Sequence, residues 1–346
     1  MDSTAIAAIT RPNTHIPKHF TTVLIVCLIL LGACVLASLV FGSRFVSLHE
    51  VIDGLFHPDV DSFAANVVRK RVTRTVFSLF CGAALGVSGA LMQAVTRNPI
   101  ADPSILGVNT GAALFVVCGI AFLNISTANQ YIWLALAGAA ITAIFVYGIG
   151  SMGRGGATPI KLVLAGAATS AALSSLVIAI MIPRSYVMDQ FRFWQVGSVG
   201  SATWGAIATF APFLVIGVLI SFVTAPALNA LALGDDAAKG LGVRTGMLRL
   251  FAALAGVLLC GAATAMAGPI GFIGLLSIHV IRLVIGPDLR FAIPMSALSG
   301  AILLTISDVI GRLVGSPGEL EVGVVTAFVG APILILLAMK AKVRSL

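Results

Sequence analysis

Ten long apolar runs follow one another along the chain, at about residues 20–41, 75–95, 104–123, 131–150, 160–182, 204–224, 246–267, 270–286, 291–313 and 320–339. Each is close to the roughly 20 residues a helix needs to cross the hydrocarbon core. The short alternating segments of a membrane barrel are absent. The pattern therefore predicts an all-α integral membrane protein of ten transmembrane helices. Residues 1–19 form a polar tail with Arg11 and Lys18. The run after the tail is too long for a signal-peptide core and has no clear cleavage site, which makes it a retained first span. Residues 20–346 then form one polytopic domain.

Polar punctuation separates the runs. Arg97-Asn98-Pro99 and Asp102-Pro103 end one helix and open the next. Gly153-Arg154-Gly155-Gly156, Gly286-Pro287-Asp288 and Ser316-Pro317-Gly318 read as turns. Residues 43–73 read as a mixed, polar connection. Residues 225–243 are unusual among the connections because they are semi-apolar. Pro226 suits a first helical position, Gly234 a stop, and Asp235 the cap of a second short helix ending at Gly240. Two such helices at a membrane face predict either a surface anchor or a docking knob.

Composition removes the soluble classes. Hydrophobic residues make up 59% of the chain and charged residues 10%, against about 25% charged in soluble domains. The spans leave no room for a soluble enzyme domain. Cys27, Cys34, Cys81, Cys118 and Cys260 all lie in apolar runs without CxxC spacing, so neither a disulfide framework nor a zinc site is expected. The net charge of +8 fits cytoplasmic loops rich in Lys and Arg. No basic run interleaved with aromatics marks nucleic acid as a partner. Thirteen Lys and Arg fall inside and eight outside when both termini are placed in the cytoplasm, which predicts an N-in, C-in topology. Four of the eight outside residues, Arg69, Lys70, Arg71 and Arg74, crowd into 69–74 against that preference. Lipid-phosphate anchoring is one reading of them and protein docking another.

Catalytic constellations are missing. There is no phosphate-binding loop, no HExxH and no GxSxG. His279 lies alone inside a span, where helix packing is the ordinary role. Asp308 stands four residues before Arg312, the spacing of an ion pair on one helix face. One peripheral acid is thin support for an ion-coupled secondary transporter, so the driving energy is expected from another subunit. Cys81-Gly82-Ala83-Ala84 with Gly89 recurs as Cys260-Gly261-Ala262-Ala263 with Gly268, a weak inverted repeat.

Several motifs in order resemble the iron-siderophore and vitamin B12 ABC importer permeases, from about residue 42 to the C-terminus. They are Arg71-Val72-Thr73-Arg74, Gly89-Ala90-Leu91-Met92-Gln93, Asn98-Pro99-Ile100-Ala101-Asp102-Pro103 and Leu106-Gly107. Further along come Leu233-Gly234 with Ala237-Ala238 and Leu241-Gly242, then Gly268-Pro269-Ile270-Gly271-Phe272-Ile273-Gly274-Leu275. The last are Pro317-Gly318-Glu319-Leu320 and Gly330-Ala331-Pro332. The stretch 189–198 is most similar to ferric enterobactin-type permeases. Thr73 and Ser277-Ile278 stand where the family usually has proline, before Arg74 and His279.

The resemblance implies a permease subunit that passes a ferric siderophore from an extracytoplasmic binding protein into the cytoplasm. Vitamin B12 or heme is the alternative cargo. It implies a second permease subunit, identical or related, and two ABC ATPases that bind ATP and Mg. This chain itself then needs no cofactor or metal. Arg71, Arg74 and Arg312 match positions that meet acidic residues of the binding protein. Leu231, Leu233, Gly234, Asp235, Ala237, Ala238, Gly240, Leu241 and Gly242 fall in the ATPase-coupling segment, with Leu231 and Leu233 as apolar anchors and Gly240 as a helix stop at positive φ. Phe191, Trp194, Gln195, Gly197 and Ser198 fall in the outer gate.

Overall fold

The computed structural model describes residues 19–57, 62–125, 127–153 and 158–340. The tail residues Arg11 and Lys18, the turn residue Arg154, and Lys342 and Arg344 lie outside the described residues. The helices in chain order are α1 Phe20–Val40, α2 Leu48–Phe56, α3 Phe63–Thr96, α4 Val108–Leu123, α5 Ala128–Ser151 and α6 Pro159–Met181. They continue as α7 Ser185–Val196, α8 Trp204–Ala232, α9 Asp235–Gly240, α10 Thr245–Ala267, α11 Ile273–Ile285, α12 Leu289–Val314 and α13 Val322–Lys340. No strand occurs among the described residues. Seven of the helices, namely α1, α3, α5, α6, α8, α10 and α12, contain stretches long and apolar enough to cross a membrane. The apolar helices α4, α11 and α13 are shorter in their apolar length.

Two runs begin their helices later than the sequence predicts. The run from 104 opens as a 3-10 turn, Pro103–Leu106, and α4 starts only after Gly107 at φ +72°. Asp102 accepts the Ser104 N–H at 2.9 Å, and Pro103 fixes the first position of that turn. The run from 270 stays irregular until α11, because Gly268 and Phe272 both have positive φ. The 43–73 stretch is more ordered than expected. Ser47 and Glu50 form a capping box at the start of α2, the S-x-x-E signal of Ser47-Leu48-His49-Glu50. The basic cluster 69–74 lies on a helix, because α3 begins at Phe63.

The predicted pair of short helices at 226–240 is corrected to one. Pro226 lies inside α8, which runs unbroken to Ala232. The Ser221 and Thr224 hydroxyls bond carbonyls in the preceding turn, at 2.6 Å to Val218 and 2.8 Å to Ile220. Leu228 and Leu231 are fully buried, so packing carries the helix past the missing N–H. Only α9 is a separate short helix.

At the centre stands α3, with α12, α11, α10 and α8 packed around it. Its Gly82, Gly86 and Gly89 form a small-residue stripe. They lie against Gly300, Ser296 and Gly274, so close that a side chain at any of them would strike main-chain atoms of α12 or α11. Lipid supplies no hydrophobic force between helices, and close van der Waals approach of this kind is what holds them together. Buried hydroxyls add cross-links: Ser78 to Thr305 at 3.2 Å, and Ser88 donating to the Gly256 carbonyl at 2.5 Å. The latter joins α3 to α10, the two helices that carry the Cys-Gly-Ala-Ala echo. All five cysteines are free.

Candidate functional site

The functional residues predicted from sequence gather at the two ends of α3. At its N-terminal end, Arg71 is buried. Its Nη1 donates to the Leu39 and Val40 carbonyls at 2.8 and 2.9 Å, and its Nη2 to the Arg44 carbonyl at 2.6 Å. Arg312, from α12, is also buried. It donates to the Ser38 and Phe41 carbonyls at 3.0 and 3.1 Å and to the Ser38 hydroxyl at 2.8 Å. Carbonyls at 38–41 end α1 and have no helical partner of their own. Two guanidinium groups therefore cap α1 from the side. Arg74 is gripped differently. Its Nε and Nη2 reach Asp308 at 2.7–3.1 Å, and its Nη1 reaches Glu319 at 2.6 Å.

The expected Asp308–Arg312 pair forms at 3.1 Å, with both side chains only 2% exposed. Asp308 thus serves two arginines at once, Arg74 and Arg312. Of the three arginines matched to docking positions, Arg74 alone is not buried, its side chain being 12% exposed. Glu319 is missed by sequence reasoning. It sits in the Pro317-Gly318-Glu319-Leu320 turn, but nothing local ties it to a residue on α3.

At the C-terminal end of α3 the expected coupling segment is anchored by charge. Asp235 accepts from Arg249 at 2.8 Å and forms an ion pair with Arg97 at 2.9 Å. Arg97 ends α3 in the left-handed region at φ 50°, and Arg249 is a buried residue in the first turns of α10. Partial burial works to raise the Asp235 pKa. The Arg249 hydrogen bond and the charges of Arg249, Arg97 and Lys239 outweigh it and hold the carboxyl below its ordinary value. The sequence places Arg97 at a helix end but gives neither Arg97 nor Arg249 a partner. A basic residue at the end of a helix is the faint signal that was available.

The turns of this segment differ from expectation. Positive φ falls at Gly234 (+114°) and Gly242 (+82°). Gly240 lies within α9, and nothing stands within 4 Å of a side chain added there. Leu231 is fully buried in this chain, and so is Ala238. The exposed large apolar residues are Leu233 and Leu241, which flank α9 on either side, with Ala237 exposed between them. Leu231 thus packs α8 into the bundle, and the outward-facing apolar pair is Leu233 and Leu241.

The gate candidates fall on and just after α7, and the structure divides them. Phe191 is buried and packs against Trp194 at 5.6 Å between ring centroids. Trp194 and Ser198 border a cavity of about 880 Å³, together with Phe77, Tyr131, Gln190 and Glu319. Gln195 faces a different groove, of about 820 Å³, shared with Arg192 and with Phe328 of α13. Gly197, at φ +80°, turns the chain so that its carbonyl accepts the Gly323 N–H at 3.1 Å. Ser198 N–H donates to Ala267 at 2.6 Å. The end of α7 is thereby stitched to α10 and α13. No cluster of metal-ligating side chains occurs among the described residues.

This is the architecture of a polytopic membrane permease. The FecCD transport family matches residues 28–340, and the chain belongs to it. It is 42% identical over 301 residues to the Fe(3+)-citrate import system permease protein YfmD of Bacillus subtilis, covering 87% of this chain and 89% of that one. It is 40% identical over 314 residues to the ferric enterobactin transport system permease protein FepD of Escherichia coli, covering 90% and 93%. Among solved structures, an inward-facing metal-chelate type ABC transporter superposes with a TM-score of 0.80 at 25% identity, over 93% of this chain and 99% of that one.

Proposed function

We propose that this chain is the transmembrane permease subunit of an ABC importer that moves a ferric siderophore into the cytoplasm. Ten helices cross the cell membrane in this reading, the three short apolar ones included, with both termini inside. A second permease subunit completes the path. Two ABC ATPases supply the energy and hold the ATP and Mg, and an extracytoplasmic binding protein delivers the chelate. The observation that carries the reading is the arrangement around α3. One end bears the arginine–carboxylate cluster, and the other bears a short helix flanked by exposed Leu233 and Leu241 and clamped through Asp235. The family and its iron-chelate relatives supply the cargo class.

The experiment is reconstitution of the complete complex in proteoliposomes with a radiolabelled ferric siderophore. Uptake is expected only with ATP inside and binding protein outside. Uptake that continues without ATP and collapses with the proton gradient would sink the proposal in favour of an ion-coupled transporter.

A further inference from the structure

Arg74 has five N–H donors to offer. Its Nε and Nη2 are committed to Asp308, deep beside Arg312. The remaining nitrogen, Nη1, donates one of its two N–H groups to Glu319 at 2.6 Å. Glu319 comes from the turn between α12 and α13, and its side chain is 41% exposed. Arg71 and Arg312 spend most of their donors on carbonyls at 38–44, and both are more deeply buried than Arg74. An incoming carboxylate that seeks a guanidinium here therefore meets one already occupied by a carboxylate.

We propose that Glu319 is a built-in competitor for Arg74, which the acidic residue of the docking partner must displace. This rests on the docking reading given above. The physical consequence is a tax on affinity. A partner that binds only the form with Arg74 released sees its dissociation constant raised in proportion to the rarity of that form. The device lowers the positive charge that the site shows to an acidic partner and holds the complex weak enough to part after delivery. The geometry singles out Glu319 for this role. Asp308 is buried and shared between two arginines, so its exchange would strand charge. Glu319 is half in solvent and can swing into water at small cost.

The test is the equilibrium affinity of the whole transporter, in nanodiscs, for the binding protein that co-purifies with it. Glu319→Gln removes the charge from an exposed turn and leaves Asp308 in place. It is expected to tighten binding about two- to fivefold, the scale of one partly exposed ion pair. Glu321→Gln, at a residue that borders the same cavity, is expected to leave affinity unchanged. Arg74→Gln is expected to weaken binding. If Glu319→Gln binds no tighter while Arg74→Gln still weakens docking, the competitor is overturned and the docking reading stands. Failure of both variants to alter affinity would remove the docking role of Arg74 and the competitor with it. Equal tightening by Glu321→Gln would show a general charge effect and overturn the specific role of Glu319.

Discussion

Asp308→Asn tests whether the arginine cluster holds the fold together. Asp308 accepts from Arg74 Nε and Nη2 and from Arg312 Nη2, and its side chain is 2% exposed. Removing one partner of a buried charge pair costs about 3–5 kcal/mol, chiefly because the other charge stays buried and unpaired. Here both cations keep something. Arg312 retains its bonds to the Ser38 and Phe41 carbonyls, and Arg74 retains Glu319. The loss should therefore fall at the low end, about 3 kcal/mol, or about two powers of ten in the unfolding equilibrium. The assay is unfolding of the purified protein in detergent by heat or by graded SDS, followed by circular dichroism. Asp189→Asn is the control, since Asp189 and Arg192 pair with both side chains 62% exposed. That change should cost under about 0.5 kcal/mol. If Asp308→Asn costs no more than Asp189→Asn, the claim that this cluster is structural fails.

Three further outcomes are expected. Gly242→Val should abolish ATPase pull-down and uptake, because a β-branched residue is poorly tolerated at φ +82°, whereas Gly240→Val should keep both; equal loss in the two variants would refute this assignment of the turn. Asp235→Asn should leave the ATPase bound but cut uptake about tenfold or more, with recovery in Asp235→Glu, since a carboxylate near two arginines is what ties α9 to α3 and α10; full uptake in the Asn variant would show the clamp to be dispensable. The Arg290 hydrogen bond to Asp288, foremost, with the Asn229 bond and the Arg290 charge, holds the Asp288 carboxyl below its ordinary value against partial burial. A depressed carboxyl contributes stability that is complete above the unfolded-state pKa of about 4 and disappears as pH falls through the lower folded value. Melting curves of Asp288→Asn against pH should therefore be flatter below about pH 4 than those of the parent.

The helical, membrane-embedded class was legible in run length and charge scarcity alone, because the bilayer imposes both on any spanning helix. What stayed illegible depends on neighbours distant in sequence. Arg74 and Asp308 are 234 positions apart, and no local pattern shows that Arg71 and Arg312 turn inward to cap α1. Pro226 carries a strong local stop signal, yet burial of Leu228 and Leu231 overrides it. The delayed starts of α4 and α11 were partly readable, since Gly107 and Gly268 stand at the breaks. Phe272 at positive φ was not, because an aromatic residue rarely adopts it. The break between α8 and α10 was legible as a stretch but not in its geometry. Which glycine turns the chain is set by how α9 is pulled toward Arg97 and Arg249.

The unbroken run of α3 has a mechanical consequence. Its 34 residues contain no proline and correspond to about 51 Å at 1.5 Å per residue. A rod of that length, tilted by about 5° about one end, carries the other end through about 4 Å. A rigid tilt about a point between Arg97 and Arg74 moves both residues at once, without any chain of rearranging side chains between them. The glycine stripe decides which tilts are open. Main chain touches main chain along Gly82, Gly86 and Gly89, so α3 can roll over α12 along that seam more readily than it can lift away from it. The stroke of the transporter is then set by helix length and pivot position, as in a lever.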